Sequence, residues 1–164
     1  MAEKYIQLEK DNILRLGIKD SDGIDTGSVL EFDLTDIELP LKYQELVFKD
    51  KKNREELQNQ LVIIEKKQDV KGKGLVTKNQ EAEIRAIMDF FKKEKEVYDL
   101  FLGEGGMDKL LNGRKLSWNT LKEIDSIIES QIFPYIEKNM DEIKQKVKNT
   151  YGVEVDTKVL TLDE

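Results

Sequence analysis

The stretch Val29-Leu30-Glu31-Phe32-Asp33-Leu34-Thr35-Asp36-Ile37-Glu38-Leu39-Pro40-Leu41-Lys42-Tyr43-Gln44-Glu45-Leu46-Val47 changes its period in the middle. Up to Leu34, apolar and polar side chains alternate: Leu30, Phe32 and Leu34 against Glu31 and Asp33. That is the pattern of a strand with one buried face. From Tyr43 onward, Tyr43, Leu46 and Val47 recur at helical spacing. The switch falls at Thr35. Thr35-Asp36-Ile37-Glu38 has the form of a capping box, and Pro40 follows where an early helical turn tolerates it.

Working backward, Leu14, Leu16 and Ile18 alternate with Arg15, Gly17 and Lys19, which predicts a first strand. Asp20-Ser21-Asp22-Gly23-Ile24-Asp25-Thr26-Gly27 between the two is rich in turn formers. The pair reads as a hairpin over about 12–34. Two strands alone are marginal in water. The hairpin must therefore pack on a helix, recruit a third strand, or pair with another molecule.

Working forward, a helix is predicted over about 39–68, with Tyr43, Leu46, Val47, Leu57, Leu61 and Ile64 as its apolar stripe. Its middle, Lys49-Asp50-Lys51-Lys52-Asn53-Arg54, is polar, so the helix either bridges solvent there or breaks in two. A loop over 69–78 leads to a second helix over about 79–102, striped by Ile84, Ile87, Met88, Phe91, Tyr98 and Phe101. Gly103-Glu104-Gly105-Gly106 stops it, and a short helix follows around Met107–Leu111. The last helix starts near Ser117 or Asn119 and runs to about 149, burying Leu121, Ile124, Ile128, Ile132, Ile136, Ile143 and Val147. Pro134 lies inside it and predicts a kink or break between Gln131 and Pro134. Val153-Glu154-Val155 would add a short strand. The expected fold class is α+β, mostly helical: a hairpin and three principal helices in one domain over 1–152, then a C-terminal segment over 153–164.

Composition narrows the chemistry. The 164 residues include no cysteine and no histidine. Disulfides, thiolate metal sites and histidine-based triads are excluded. No apolar run reaches the roughly 18 residues of a membrane span, and the N-terminus has no apolar signal core, so a cytoplasmic location is expected. The net charge is −7, unevenly spread. Residues 1–40 hold 4 basic and 10 acidic groups, whereas residues 41–80 hold 10 basic and 6 acidic. The acidic total argues against direct nucleic-acid binding, and the asymmetry would favour head-to-tail contacts between copies of a homo-oligomer.

Three local patterns invite a chemical reading, and each has a plainer one. Asp20-x-Asp22-Gly23-x-Asp25 has the residues of a calcium loop, but glycine stands at the fourth position where that loop needs it at the sixth. Gly103-x-Gly105-Gly106 before a short helix suggests an anion nest, yet no lysine-serine pair follows. A helix stop explains it. Lys66, Lys67, Lys71, Lys73 and Lys78 form one basic cluster without interleaved aromatics. It is a solvated loop, or a docking surface for an acidic partner or a sister copy. No metal, cofactor or catalytic residues are expected.

The order of features resembles the small tail assembly chaperones of phages and prophages from Gram-positive bacteria. A strand pair, LRLGI (14–18) and VLEFDL (29–34), leads into a charged helix, DIELPLKYQEL (36–46). A second helix ends in an aromatic-glycine segment, YDLFLGEGGMDKLLNGR (98–114), and a final helix, LKEIDSIIESQI (121–132), follows. The resemblance spans about residues 12–137, and residues 138–164 have no clear counterpart. It implies a non-enzymatic adaptor that holds tape measure protein and recruits tail tube subunits during virion morphogenesis. The family has no catalytic residues to carry over.

Candidate partner-binding residues are the apolar side chains near breaks in helical structure: Tyr98, Phe101, Leu102, Met107, Leu110, Leu111 and Trp118. Taken singly, each reads first as core. Other functions fit the same composition. One is a structural virion protein, such as a head–tail connector, whose hairpin augments a neighbour's sheet. Another is an acidic inhibitor of a host nuclease, against which the lysines of 66–78 count.

Overall fold

The computed structural model describes residues 2–8 and 12–152. Strands β1 (Ile13–Lys19) and β2 (Asp25–Asp33) pair antiparallel, Leu14 opposite Phe32 and Leu16 opposite Leu30. Helices α1 (Leu39–Glu65), α2 (Lys78–Leu102), α3 (Gly106–Leu111) and α4 (Trp118–Ile127) follow. A π-helical turn, Ile128–Ile132, joins α4 to α5 (Phe133–Tyr151). The fold is α+β and mostly helical, opened by the hairpin. The expected strand at Val153–Val155 lies outside the described residues.

The hairpin turn is closed by its own acids. Asp20 Oδ1 accepts the N–H groups of Asp22 and Ile24, each at 2.9 Å, and Gly23 takes a φ of +78°. These are ordinary Asx-turn bonds, which need no cation. Ile18, Leu30, Phe32 and Leu34 are buried, and the Phe32 ring lies 5.5 Å from that of Phe101 in α2. Of its three options, the hairpin takes the first and packs on helices.

Helix α1 does not start on the expected capping box. Thr35 Oγ1 donates to Asp33 Oδ1 at 2.6 Å, and the N-cap residue is Glu38, whose side chain makes no cap bond. A helix begun at Asp36 would drive the Pro40 ring into the carbonyl four residues back. Asp36 instead accepts the Glu38 N–H at 2.9 Å. A capping box does form one element later. Thr77 accepts from the Gln80 N–H at 3.2 Å, and Gln80 Oε1 accepts the Thr77 N–H at 2.9 Å.

Helices α1 and α2 run antiparallel. Tyr43 lies beside Phe101 (5.4 Å between rings), and at the far end Asn79 Nδ2 donates to the carbonyls of Ile64 and Lys67. The polar middle of α1 neither breaks the helix nor merely bridges solvent, because Asn53 reaches across to α2. In α2 the buried stripe is Phe90, Glu94, Tyr98, Phe101 and Leu102, whereas Ile84 and Met88 are exposed, contrary to the apolar spacing.

The glycine segment is a tight reversal. Gly103 and Gly105 have φ of +97° and +72°, and a Cβ on Gly106 would lie 2.6 Å from Leu102 Cβ. Asp99 Oδ1 accepts the Met107 N–H at 2.8 Å, so the start of α3 is capped from within the chain.

The last helical run is interrupted where Pro134 demands it. The departure spans Ile128–Ile132 and takes the form of a widened turn, with Pro134 in the first turn of α5. Leu121, Ile124, Ile128, Ile132 and Ile136 are all buried. In a regular α-helix each step of four residues drifts by about 40°. The π turn absorbs that drift and keeps the isoleucines on one face. A line of rings, Phe32–Phe101–Tyr43–Phe133, ties β2, α2, α1 and α5 into one core.

Candidate functional site

The chain's most distinctive polar feature lies in the α1–α2 seam. Positions 43, 46, 50, 53 and 57 follow one helical stripe, so Asp50 and Asn53 occupy slots that apolar residues fill on either side. On α2, Glu94 sits in the corresponding slot and is 0% exposed. Asn53 Nδ2 donates to Glu94 Oε1 at 3.0 Å. Oε2 of Glu94 has no partner at hydrogen-bonding geometry. Burial first, and then the neighbouring Asp50 carboxylate, push the Glu94 carboxyl up to about 9, against the pull of Asn53 and Arg54. It is therefore neutral at physiological pH.

Arg54 and Asp125 extend this cluster toward the surface. Arg54 Nε donates to both carboxylate oxygens of Asp50, at 2.9 and 3.1 Å. Its guanidinium also lies 5.9 Å over the Phe90 ring and 3.9 Å from Asp125 of α4. The Tyr98 hydroxyl donates to Asp125 Oδ1. Burial, and then Asp125, push the Tyr98 hydroxyl up. Burial likewise raises Asp125, against the Tyr98 hydrogen bond. The network clamps three helices with one polar contact set.

Directly beyond this clamp lies an apolar groove. Arg54, Leu57, Gln58, Leu61, Val62, Glu65 and Trp118 line a volume of about 410 Å³. Trp118 forms one wall. Ser117 caps α4 just before it, accepting the Thr120 N–H, and the indole rests on Phe90 and Phe91 at 5.2 and 4.8 Å. It still leaves 47% of its surface exposed. Among the described residues, no helix continues along the seam past Trp118. Ile84, Ile87, Met88 and Phe91 share a stripe at helical spacing. There Ile84 and Met88 are open to solvent, as are Val62 and Ile63 of α1.

The seven residues picked from the sequence divide sharply. Tyr98, Phe101, Leu102, Met107 and Leu111 are buried, and Met107 is fully enclosed. They cannot offer a preformed contact face. The glycine reversal folds α3 back beneath β2, with Gly106 against Leu102 and Leu30, which closes these side chains inside. Leu110 is partly covered and lines a different surface cavity with Ile18, Arg114 and Ile127. Trp118 alone stands at the groove. Leu61, Val62 and Met88 were not singled out as contact residues, because they sit in helix interiors away from any break.

Among the described residues, no helix is long and apolar enough to cross a membrane, and no group of carboxylates is arranged to hold a metal ion. No family model, no curated protein and no solved structure matches this chain.

Proposed function

We propose that this chain is a non-enzymatic adaptor that holds a helical segment of a partner protein in the groove beyond Trp118. The observation that carries the reading is the missing third helix. Along most of the α1–α2 hairpin, α4 and α5 cover the seam, and from Trp118 onward no element among the described residues does. The side chains left there, Leu61, Val62, Ile84 and Met88, are spaced to receive an amphipathic helix. In such a contact the tryptophan is the anchor, since aromatic residues dominate interface energetics. The resemblance described above gives the reading a biological form. The chain is a phage tail assembly chaperone acting in the host cytoplasm, and the partner is a tape measure or tail tube protein, whose elongated helices need cover before assembly.

The test is co-expression with a phage tape measure protein, followed by affinity recovery. Val62→Glu with Met88→Glu places charge at the groove on two exposed side chains. Recovery is expected to fall at least tenfold, with circular dichroism unchanged. Trp118, the sole tryptophan, should shift its emission when the partner binds the wild-type chain. Undiminished recovery by the double variant would place the contact elsewhere.

A further inference from the structure

Glu94 fills a slot in the α1–α2 seam where an aliphatic side chain would pack without the cost of burying a carboxyl. Positions that break the local rule are where function is expected. Asn53 Nδ2 meets one of its oxygens at 3.0 Å, and the other meets no donor among the described residues. Asp50, a second carboxyl, also lies within hydrogen-bonding reach of Glu94. Two carboxylates are both acceptors, so this contact closes only with a proton between them. Burial first, and then that contact, hold the proton on Glu94.

The charged groups around the pair converge on one cation. From α1, Glu94 faces Asp50 and Arg54. Tyr98 lies one turn along α2, with its hydroxyl on Asp125 of α4. Lys93 and Lys95 flank Glu94 in sequence but pair elsewhere, with Asp89 and Glu56 and with Asp108. Arg54 is thus the cation that faces Glu94. The same guanidinium lies 5.9 Å over Phe90, whose ring carries Trp118 at 5.2 Å. Arg54 and Trp118 both line the groove. One side chain, bonded to Asp50, therefore joins the buried acid pair to the wall of the groove.

We propose that Glu94 is a proton latch on the groove. Its proton bridges the seam to Asp50, and when that proton leaves, Arg54 is drawn inward, off the wall made by Phe90 and Trp118. Only the O–H bond breaks, and the proton goes to water. With Glu94 ionised, two carboxylates face each other in a dry seam, where like charges disfavour each other strongly. A guanidinium fork set between them answers both. The groove then loses part of its wall. A helix seated there would hold the proton in place, and loss of the proton would loosen that helix by the same factor. This consequence rests on the proposed adaptor function, whereas the latch itself belongs to the free chain.

The free chain supplies its own probe, since Trp118 is the sole tryptophan. Its emission, followed with far-ultraviolet circular dichroism between about pH 6 and about pH 10.5, tests the latch without any partner. The wild-type emission should shift in one step centred at about 9 while the helical signal holds. Glu94→Gln keeps an amide donor toward Asp50 at every pH and should show no step. Asp50→Asn removes the neighbouring charge and should move the step to lower pH by about one unit. Arg54→Gln leaves Glu94 free to ionise but removes the moving cation, so it should lose the step. A wild-type emission that stays flat across the range overturns the latch. So does a step that survives in Glu94→Gln, or one that coincides with loss of the helical signal. Undiminished partner recovery by the groove variant, with the step present, overturns the adaptor reading and leaves the latch standing.

Discussion

With no solvent contact and Asp50 beside it, the Glu94 carboxyl is more stable neutral than ionised, and that preference ties folding to pH. Its value rises from 4.5 to about 9 on folding. Between those limits the folded chain keeps a proton that the unfolded chain has released. Stability is thus fully present below pH 4.5 and drains away as pH rises toward 9, by up to roughly 1.4 kcal/mol per pH unit. The raised Asp125 works in the same sense. Denaturant melts should therefore give a more stable chain at pH 5.5 than at pH 8.5. Glu94→Gln keeps the shape and the bond from Asn53 but carries no charge at any pH. It should flatten this slope and stabilise the chain at pH 8.5, and an unchanged slope would rule out Glu94 as its source. The slot itself was legible in the spacing of positions 43, 46, 50, 53 and 57. A search confined to apolar residues passes over it, because the period continues through polar side chains.

Two threonines stand before helices with the same sequence signature, Thr35 ahead of Glu38 and Thr77 ahead of Gln80, and only the second caps. The difference is Pro40. Its ring moves the start of α1 downstream, and the Thr35 hydroxyl is left to bond Asp33. Thr77→Ala should cost about 1 kcal/mol of unfolding free energy, and Thr35→Ala only a few tenths. Equal costs would show that the two positions work alike. The hairpin and the glycine stop at Gly103 were legible because each rests on local rules, alternation in one case and positive φ in the other. The α2 stripe was harder to place. Ile84 and Met88 share the helical period of the buried residues, yet they lie beyond the reach of α4, and periodicity does not say where a neighbouring helix begins. An irregularity ahead of Pro134 was foreseeable, and it takes the form of the π-helical turn Ile128–Ile132. Its form was set by the run of isoleucines that the widened turn keeps aligned.

Across the whole molecule, the ring line from Phe32 to Phe133 makes the hairpin and the helices one cooperative unit. Phe101 touches two of its neighbours in that line and is nearly inaccessible. Phe101→Ala should cost about 3–5 kcal/mol, and sheet and helix signals should be lost in a single transition. Separate transitions would show the hairpin to be an independent attachment. Phe101→Ala is for this reason a poor probe of partner binding. Val62 and Met88, both exposed, report on the groove without disturbing the core. The clustering of apolar residues between 98 and 118 was plain in the sequence. Its inward direction was not, because that depends on α3 folding back under β2.

The burial of Leu30, Phe32 and Leu34 has a practical side for anyone trimming the chain. A version begun at Thr35 keeps every helix, yet it uncovers Phe101, Leu102 and Met107 together. That creates a contiguous greasy patch of the kind that drives unfolded-like chains to clump. Such a truncation should express mainly into inclusion bodies. Supplying residues 2–34 in trans as a synthetic peptide during refolding should return part of it to solution, with the recovered yield read by sedimentation.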